Sequence, residues 1–457
     1  MEAPLNARRF SPHRRLLLWA YRTDPLRVLV LGYLSHLVFG WLALCLPFAQ
    51  ERAGVAPLDH LFTAASAMST TGLATVSIAG TYNAFGEAVV LLLIQAGGLG
   101  YMTLGSFVLL TVSGRLSPLR MRIGAAAWAI PSEFEMRSFL RLILGYTLLV
   151  ELAGTLALYF WVFRGSAVES PVWHAAFHSI SSFCTAGLAL FDDSFERYRG
   201  HGALNAIVIT LSVLGAIGFL VVNDLWRTLR HRRLHVTLTS KIILVSTSAI
   251  LGIGTVLFWL DEPLLRELPA NERWLASLFQ VMSAATTVGY NSIPIGALSA
   301  SSLLLITVIM VIGASPAGTG GGLKTTTISA LWAVMTSVLR RRSTTTFLGR
   351  EIPEARLRAA TAGAMFYGVT LAVGLYAFTL VERAPLADQA FECASALGTV
   401  GLSRGITGSL TDAGKWILIA LMFAGRVGPL VLGMTFLAPR ESEEQLGVGH
   451  PEEDLVT

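Results

Sequence analysis

Long apolar runs alternate with short ones four times along this chain, and every short run ends in a Thr-x-Gly turn. The first pass holds an apolar run at about 28–50, the segment PLDHLFTAASAMS, a Thr-Thr-Gly turn and a second long run at about 83–112. The same order returns with runs near 139–163 and 203–226 around PVWHAAFHSISSF, and with 241–262 and about 300–338 around NERWLASLFQVMSAA. It closes with 356–380 and 413–437 around PLADQAFECASAL. About 20 apolar residues cross a bilayer as a helix, whereas segments of roughly 10 to 13 fall short and read as re-entrant. The expectation is an all-α membrane protein of four tandem units, each a membrane helix, a pore loop and a second membrane helix, with pseudo-fourfold symmetry.

Non-helical backbone at membrane depth must be buried in protein or line a watery cavity. Gly72, Gly187, Gly289 and Gly401 stand 115, 102 and 112 residues apart, so the turns recur with a regular period. Glycine lets an extended chain present its carbonyls without a clashing side chain. Four such loops about one axis would set carbonyl oxygens where they replace the hydration shell of a monovalent cation. The candidate filter residues are Thr70, Thr71 and Gly72; Thr185, Ala186 and Gly187; Thr287, Val288 and Gly289; and Thr399, Val400 and Gly401. A single Thr-x-Gly also fits ordinary helix packing by small residues. Its fourfold recurrence, always between a short segment and a long one, selects the filter.

The third unit departs from its siblings. Its second run is interrupted by Gly313, Pro316, Gly318, Gly320, Gly321 and Gly322. A helix does not pass unbroken through that composition, because proline removes a donor and glycine adds backbone freedom. The stretch GTGGGLKT approaches a phosphate-binding loop, but Leu323 stands where glycine is required before Lys324, and a membrane span precedes it instead of a strand. A flexible gate, with Lys324 as an electrostatic plug or a mark of the membrane interface, is the better reading. Arg426 lies inside LIALMFAGRVGPLVLGMTFLA, where a mid-helix arginine facing lipid would cost at least about 2.5 kcal/mol. It is expected either to pin repeats together through buried contacts or to stand beside the permeation path against the gate loop.

Composition agrees with a polytopic membrane protein: 53% of the 457 residues are hydrophobic, 14% are charged, and mean hydropathy is +0.62. The net charge of +5 and pI near 9.3 would admit nucleic acid, but the basic residues follow topology. Arg8, Arg9, Arg14, Arg15, Arg22 and Arg27 precede the first span; Arg115, Arg120 and Arg122, then Arg227, Arg230, Arg232, Arg233 and Lys241, then Arg340, Arg341, Arg342 and Arg350 occupy alternate loops. Glu51, Asp59, Asp192, Asp193, Glu196, Asp261, Glu262 and Glu382 tend to the loops between. Positive-inside topology predicts a basic cytoplasmic N-terminus at 1–27, a cytoplasmic tail at 438–457, and no nucleic-acid partner. The basic preface lacks the pattern of a cleaved signal peptide. Cys45, Cys184 and Cys393 have no ligand spacing, so neither a disulfide scaffold nor a transition-metal site is expected.

Lesser candidates sort by chemistry. His174 and His178 share a helical face but lack a third ligand, so hydrogen bonding to the turn outranks a metal. Asn223 and Asp224 are expected to cap or pair. Glu151 is open between a cation site and a partner for Arg426, while Glu392 and Asp59 are candidates to concentrate cations at an outer mouth. No enzyme motif is present, and no insertion is large enough for an ATP-hydrolysing domain. Ion movement would then be driven by the membrane potential, an ion gradient or another subunit.

The four filter phrases, GASPAGTGGGLKTTT at 313–327 and LMFAGRVGPLVLG at 421–433 resemble the Trk, Ktr and HKT potassium transporter superfamily, most of all its KtrB-type membrane subunit. The resemblance spans about residues 28–437. It implies pore units at 28–112, 139–226, 241–339 and 356–437, with an intramembrane gate at 313–322. It also implies potassium selectivity, since glycine at every filter position accompanies it and serine at the first accompanies sodium-permeable plant members. Further implied are a homodimer in a bacterial cytoplasmic membrane, no covalent cofactor, sodium as an activating or coupled ion, and a KtrA-like cytoplasmic ring that alone binds nucleotide. Two rival readings are a cation-coupled secondary transporter with a midplane site and a noncatalytic membrane scaffold.

Overall fold

The computed structural model describes residues 25–100, 136–231, 236–428 and 432–433. The basic stretch through residue 24, residues 101–112 of the first unit, the cluster Arg115, Arg120 and Arg122, Arg232 and Arg233, and the tail at 438–457 lie outside the described residues.

The first repeat contains α1 (Pro25–Leu44), the short α2 (Pro57–Ser69) and α3 (Ala84–Leu99). In the second stand α4 (Met136–Leu158), α5 (Pro171–Phe183), α6 (Gly202–Ala216) and α7 (Phe219–His231). The third has α8 (Leu238–Asp261), α9 (Ala270–Thr286), α10 (Ala300–Ile312) and α11 (Thr325–Leu339), and the fourth α12 (Glu354–Val381), α13 (Leu386–Gly398) and α14 (Asp412–Val427). Among the described residues the only strands are a two-stranded hairpin, Thr346–Phe347 with Arg350–Glu351, between the third and fourth repeats. Leu140–Phe163, Leu238–Asp261 and Glu354–Val381 are long and apolar enough to span a membrane.

The short helices α2, α5, α9 and α13 form the interior, and their second halves are almost wholly buried. Proline sets each start: Pro57 and Pro171 open their helices, and Pro269 and Pro385 stand at the N-caps. Its fixed φ suits the first turn, where the missing N–H costs nothing. Around them the long helices turn apolar side chains such as Phe39, Leu152, Trp161 and Leu380 outward, as a lipid solvent permits.

The second helices differ from the expectation. The runs read at 83–112, 203–226 and 413–437 are not unbroken helices: α3 stops at Leu99, α6 and α7 meet at 91°, and α14 stops at Val427. Among the described residues, then, the second helix ends at a glycine in all four repeats and not in the third alone. At each break stands a glycine with positive φ: Gly100 at 77°, Gly218 at 91°, Gly313 at 69° and Gly428 at 93°. A β-branched or bulky residue would be strained there, so these glycines release the chain from the helix. In the third repeat the break opens into an irregular segment at 313–324 between α10 and α11.

Candidate functional site

The C-terminal ends of the four short helices deliver the Thr-x-Gly turns to one ring. Thr70, Thr185, Thr287 and Thr399 all take left-handed backbone, with φ of 53°, 52°, 58° and 49°. Two residues on, Gly72, Gly187, Gly289 and Gly401 have φ of 99°, 63°, 81° and 95°. Threonine is costly in this region, and such strain persists only where the surroundings enforce it. The ring is closed. A Cβ on Gly72 would strike the Ala186 carbonyl oxygen, one on Gly187 that of Val288, one on Gly289 that of Val400, and one on Gly401 that of Thr71. Each glycine is thus required twice, by its φ and by the neighbouring loop's backbone.

A serine six residues before every filter glycine holds the turn, and sequence reasoning overlooked it. Ser66, Ser181, Ser283 and Ser395 are fully buried, and their carbonyls accept the N–H of Thr71, Ala186, Val288 and Val400 at 2.8, 2.8, 3.1 and 2.8 Å. The signal was available as Ser-x5-Gly in all four phrases.

The glycines open on a cavity of about 330 Å³, which all four line together with Thr75, Ser77, Asp192, Ser194 and Asn291. Each seam between neighbouring repeats is crossed by at least one polar side-chain tie. Ser77 donates to Asp192 across the first, and Asn291 Nδ2 donates to Glu196 at 2.6 Å across the second. Arg404 donates to the Ile295 carbonyl at 3.0 Å across the third, and Lys415 pairs with Asp59 at 2.8 Å across the fourth.

On the threonine side lies the 313–324 segment. Thr319 Oγ1 donates to the Phe183 carbonyl at 3.1 Å and receives a bond from Thr185 Oγ1 at 3.2 Å, while Gly321 N–H donates to Thr287 Oγ1 at 2.9 Å. A Cβ on Gly321 would strike Thr399 Oγ1. The segment therefore sits against three of the four threonines. Repeat two clasps it from the side: Ser315 and Thr319 N–H donate to the Ala216 and Gly215 carbonyls at 3.3 and 3.1 Å, and Phe219 N–H donates to Ala317 at 2.9 Å. Pro316 and Gly318 lie in this clasped stretch, where a Cβ on Gly218 would meet the Pro316 carbonyl oxygen.

Two cations hold the segment in place. Lys324 Nζ donates to the Gly320 carbonyl, and Gly322 packs on Gly313 where the segment begins and ends. Arg426 donates through Nη1 to the Thr319 carbonyl, and through Nη2 to the Gly97 and Gly98 carbonyls at the end of α3. The Gly97 carbonyl also accepts the Gly100 N–H at 3.2 Å, but the last-turn carbonyls carry the negative end of the helix dipole, which explains how a guanidinium is accommodated there.

The remaining candidates are placed as follows. Glu151 does not pair with Arg426: it accepts from Gln95 Nε2 at 3.2 Å and faces the Cys184 thiol at 3.7 Å. Glu392 is not at the mouth but fully buried behind the fourth loop, accepting from Ser403, Thr407 and the Arg404 N–H. Three donors make that burial tolerable. Asp59 is engaged by Lys415, so Asp192 supplies the carboxylate that lines the cavity. His178 bonds the His174 carbonyl and accepts the Leu190 N–H at 3.2 Å, bracing the second loop. Among the described residues no metal-ligand cluster is formed. Asp224 accepts from Thr237 and Ser240 at the start of α8, a capping role, and Asn223 beside it on α7 is buried.

The model of a family described as TrkH, cation transport protein, matches residues 42–446. Ktr system potassium uptake protein B of Vibrio alginolyticus is 32% identical over 94% of each chain. The protein of the same name from Bacillus subtilis is 30% identical over 97% of this chain and 98% of its own. Potassium/sodium uptake protein NtpJ of Enterococcus hirae is 33% identical over 95% and 97%. The crystal structure of the potassium transporter TrkH from Vibrio parahaemolyticus superposes with a TM-score of 0.73 at 19% identity, covering 91% of this chain and 85% of that one, a likeness of fold.

Proposed function

This chain belongs to the TrkH family of cation transport proteins, as a multi-pass membrane protein most similar to the KtrB-type subunit, and we propose that it is a potassium-selective uptake pore of the bacterial cytoplasmic membrane. The observation that carries this reading is the closed ring of four glycines at positive φ, each against the carbonyl of the next loop. Alternating the sign of φ turns successive carbonyls of a loop to one side. Residues 70–72, 185–187, 287–289 and 399–401 would then offer potassium four sets of oxygens in place of water.

Gating follows from the segment at 313–324. Gly313, Pro316, Gly318, Gly320, Gly321 and Gly322 give it the backbone freedom to move, and Lys324 and Arg426 hold it against the threonine side of the ring. Opening requires it to withdraw and its carbonyls to leave Arg426. A cytoplasmic nucleotide-binding ring supplies the signal in this reading, as the Ktr system names of the relatives suggest, and the pore works as a homodimer with both termini cytoplasmic. Potassium is the cargo, and nucleotide stays on the partner. Coupling to sodium, as in a symporter, is the second reading, favoured by the potassium/sodium name of the Enterococcus relative.

The test is potassium and sodium flux into proteoliposomes carrying the wild-type chain or Gly72→Ser. Selective potassium flux that loses discrimination on substitution supports the filter. Equal selectivity in both rejects it.

A further inference from the structure

The four filter loops are alike in backbone and unlike in how they are tied. Ser66 and Ser395 use their hydroxyls to accept the Gly72 and Gly401 N–H, both at 3.0 Å. Ser181 and Ser283 instead donate theirs to the carbonyls of Leu188 and Tyr290, one residue beyond the glycine, at 2.8 and 2.6 Å. Among the described residues no side-chain hydroxyl donates to the matching carbonyls of Leu73 and Leu402. The ring therefore has two kinds of loop, the first and fourth against the second and third.

The residue after the glycine is leucine in three repeats and tyrosine in the third. Tyr290 is fully buried, and its hydroxyl crosses the seam to the Leu188 carbonyl of the second loop at 3.3 Å, beside Ser181 and Ser182. Leu188 thus receives two hydroxyl protons, which occupy both lone pairs of its carbonyl. The Tyr290 ring lies 4.6 Å from that of Phe195, whose own N–H donates to the Asn291 carbonyl at 3.0 Å. Among the described residues no other seam has such a tie inside the filter.

We propose that Tyr290 is a positioning residue of the filter: its hydroxyl fixes the second loop against the third and so sets the discrimination between potassium and sodium. This rests on the pore reading above. The smaller ion is favoured when carbonyls can close in, or when the number of available carbonyls changes. Pinning Leu188 opposes both.

Tyr290→Phe removes only the hydroxyl. In full-length protein reconstituted in proteoliposomes, the potassium-to-sodium flux ratio should fall by about three- to tenfold, the range set by one hydrogen bond. Ser181→Ala, which removes the other donor to Leu188, should shift it the same way. Gly289→Ser serves as the control for the pore itself. A ratio within about twofold of wild type in Tyr290→Phe and Ser181→Ala, with a changed ratio in Gly289→Ser, overturns the inference and leaves the filter standing. Equal loss of potassium and sodium flux also overturns it, because that is the mark of a merely structural role. An unchanged ratio in all three removes the pore reading as well.

Discussion

Arg426 of the last helix donates to the carbonyl of Thr319 in the irregular segment of the third repeat, across 107 residues of sequence. The same guanidinium holds the end of α3, so one side chain joins three repeats beneath the ring. A charge-assisted bond of this kind contributes about 1.5–3 kcal/mol. Arg426→Gln should therefore raise potassium flux in the absence of any activating partner by about one to two orders of magnitude. Flux assays on reconstituted protein would measure it, and a basal flux equal to or below wild type would show that Arg426 does not hold the closed state.

The filter serines make a different prediction. Ser395→Ala deletes the acceptor of the Gly401 N–H and leaves a buried donor unmade, at a cost of about 1–3 kcal/mol. Thermal unfolding in detergent should show a lower midpoint, together with a smaller stabilisation by added potassium. Retention of the full potassium effect would place Ser395 outside the binding machinery.

The four turns were legible in sequence because left-handed backbone and close approach leave few residue types to choose from, so Thr-x-Gly recurs where overall identity has faded. The irregular segment was equally visible, since five glycines and a proline in twelve residues leave no helix. The other helix breaks were not: Gly100, Gly218 and Gly428 are single glycines in apolar runs, which helix packing explains just as well. Sequence alone places Glu392 and Asp59 at the mouth because both stand near a filter phrase. Burial and the partners Ser403, Thr407 and Lys415 belong to tertiary structure and leave no local mark. The pairing of Ser77 with Asp192 across 115 residues is hidden for the same reason.

Asp192 gives the cavity above the glycines a negative charge. Attraction of cations to an exposed carboxylate is screened over about 10 Å at 0.1 M salt. Asp192→Asn should raise the half-saturating potassium concentration by about two- to fivefold at low ionic strength and have little effect at high salt. An effect independent of ionic strength would point to direct structural damage.

Glu196, in the loop that ties the second and third repeats, has its carboxyl raised above the ordinary glutamate range by burial, with the charge of Asp193 adding to the shift. A raised carboxyl binds its proton more tightly in the folded than in the unfolded chain. Its contribution to stability is therefore present at low pH and is lost as pH rises from the ordinary value through the raised one. Glu196→Gln lacks this dependence. The thermal midpoint of the variant relative to wild type should increase as pH rises above the ordinary glutamate value of about 4.3. A difference that stays constant or falls over that range would mean that the Asn291 bond outweighs the burial cost.

The ring itself is tested most directly by anomalous diffraction from crystals of the protein grown in rubidium or thallium, which stand in for potassium. Density should lie on the axis enclosed by the backbone of Thr71, Ala186, Val288 and Val400 and by the four glycines, and should weaken as sodium replaces the heavy ion. Heavy-ion density bound elsewhere in the membrane region, with none inside the ring, would contradict a four-loop filter.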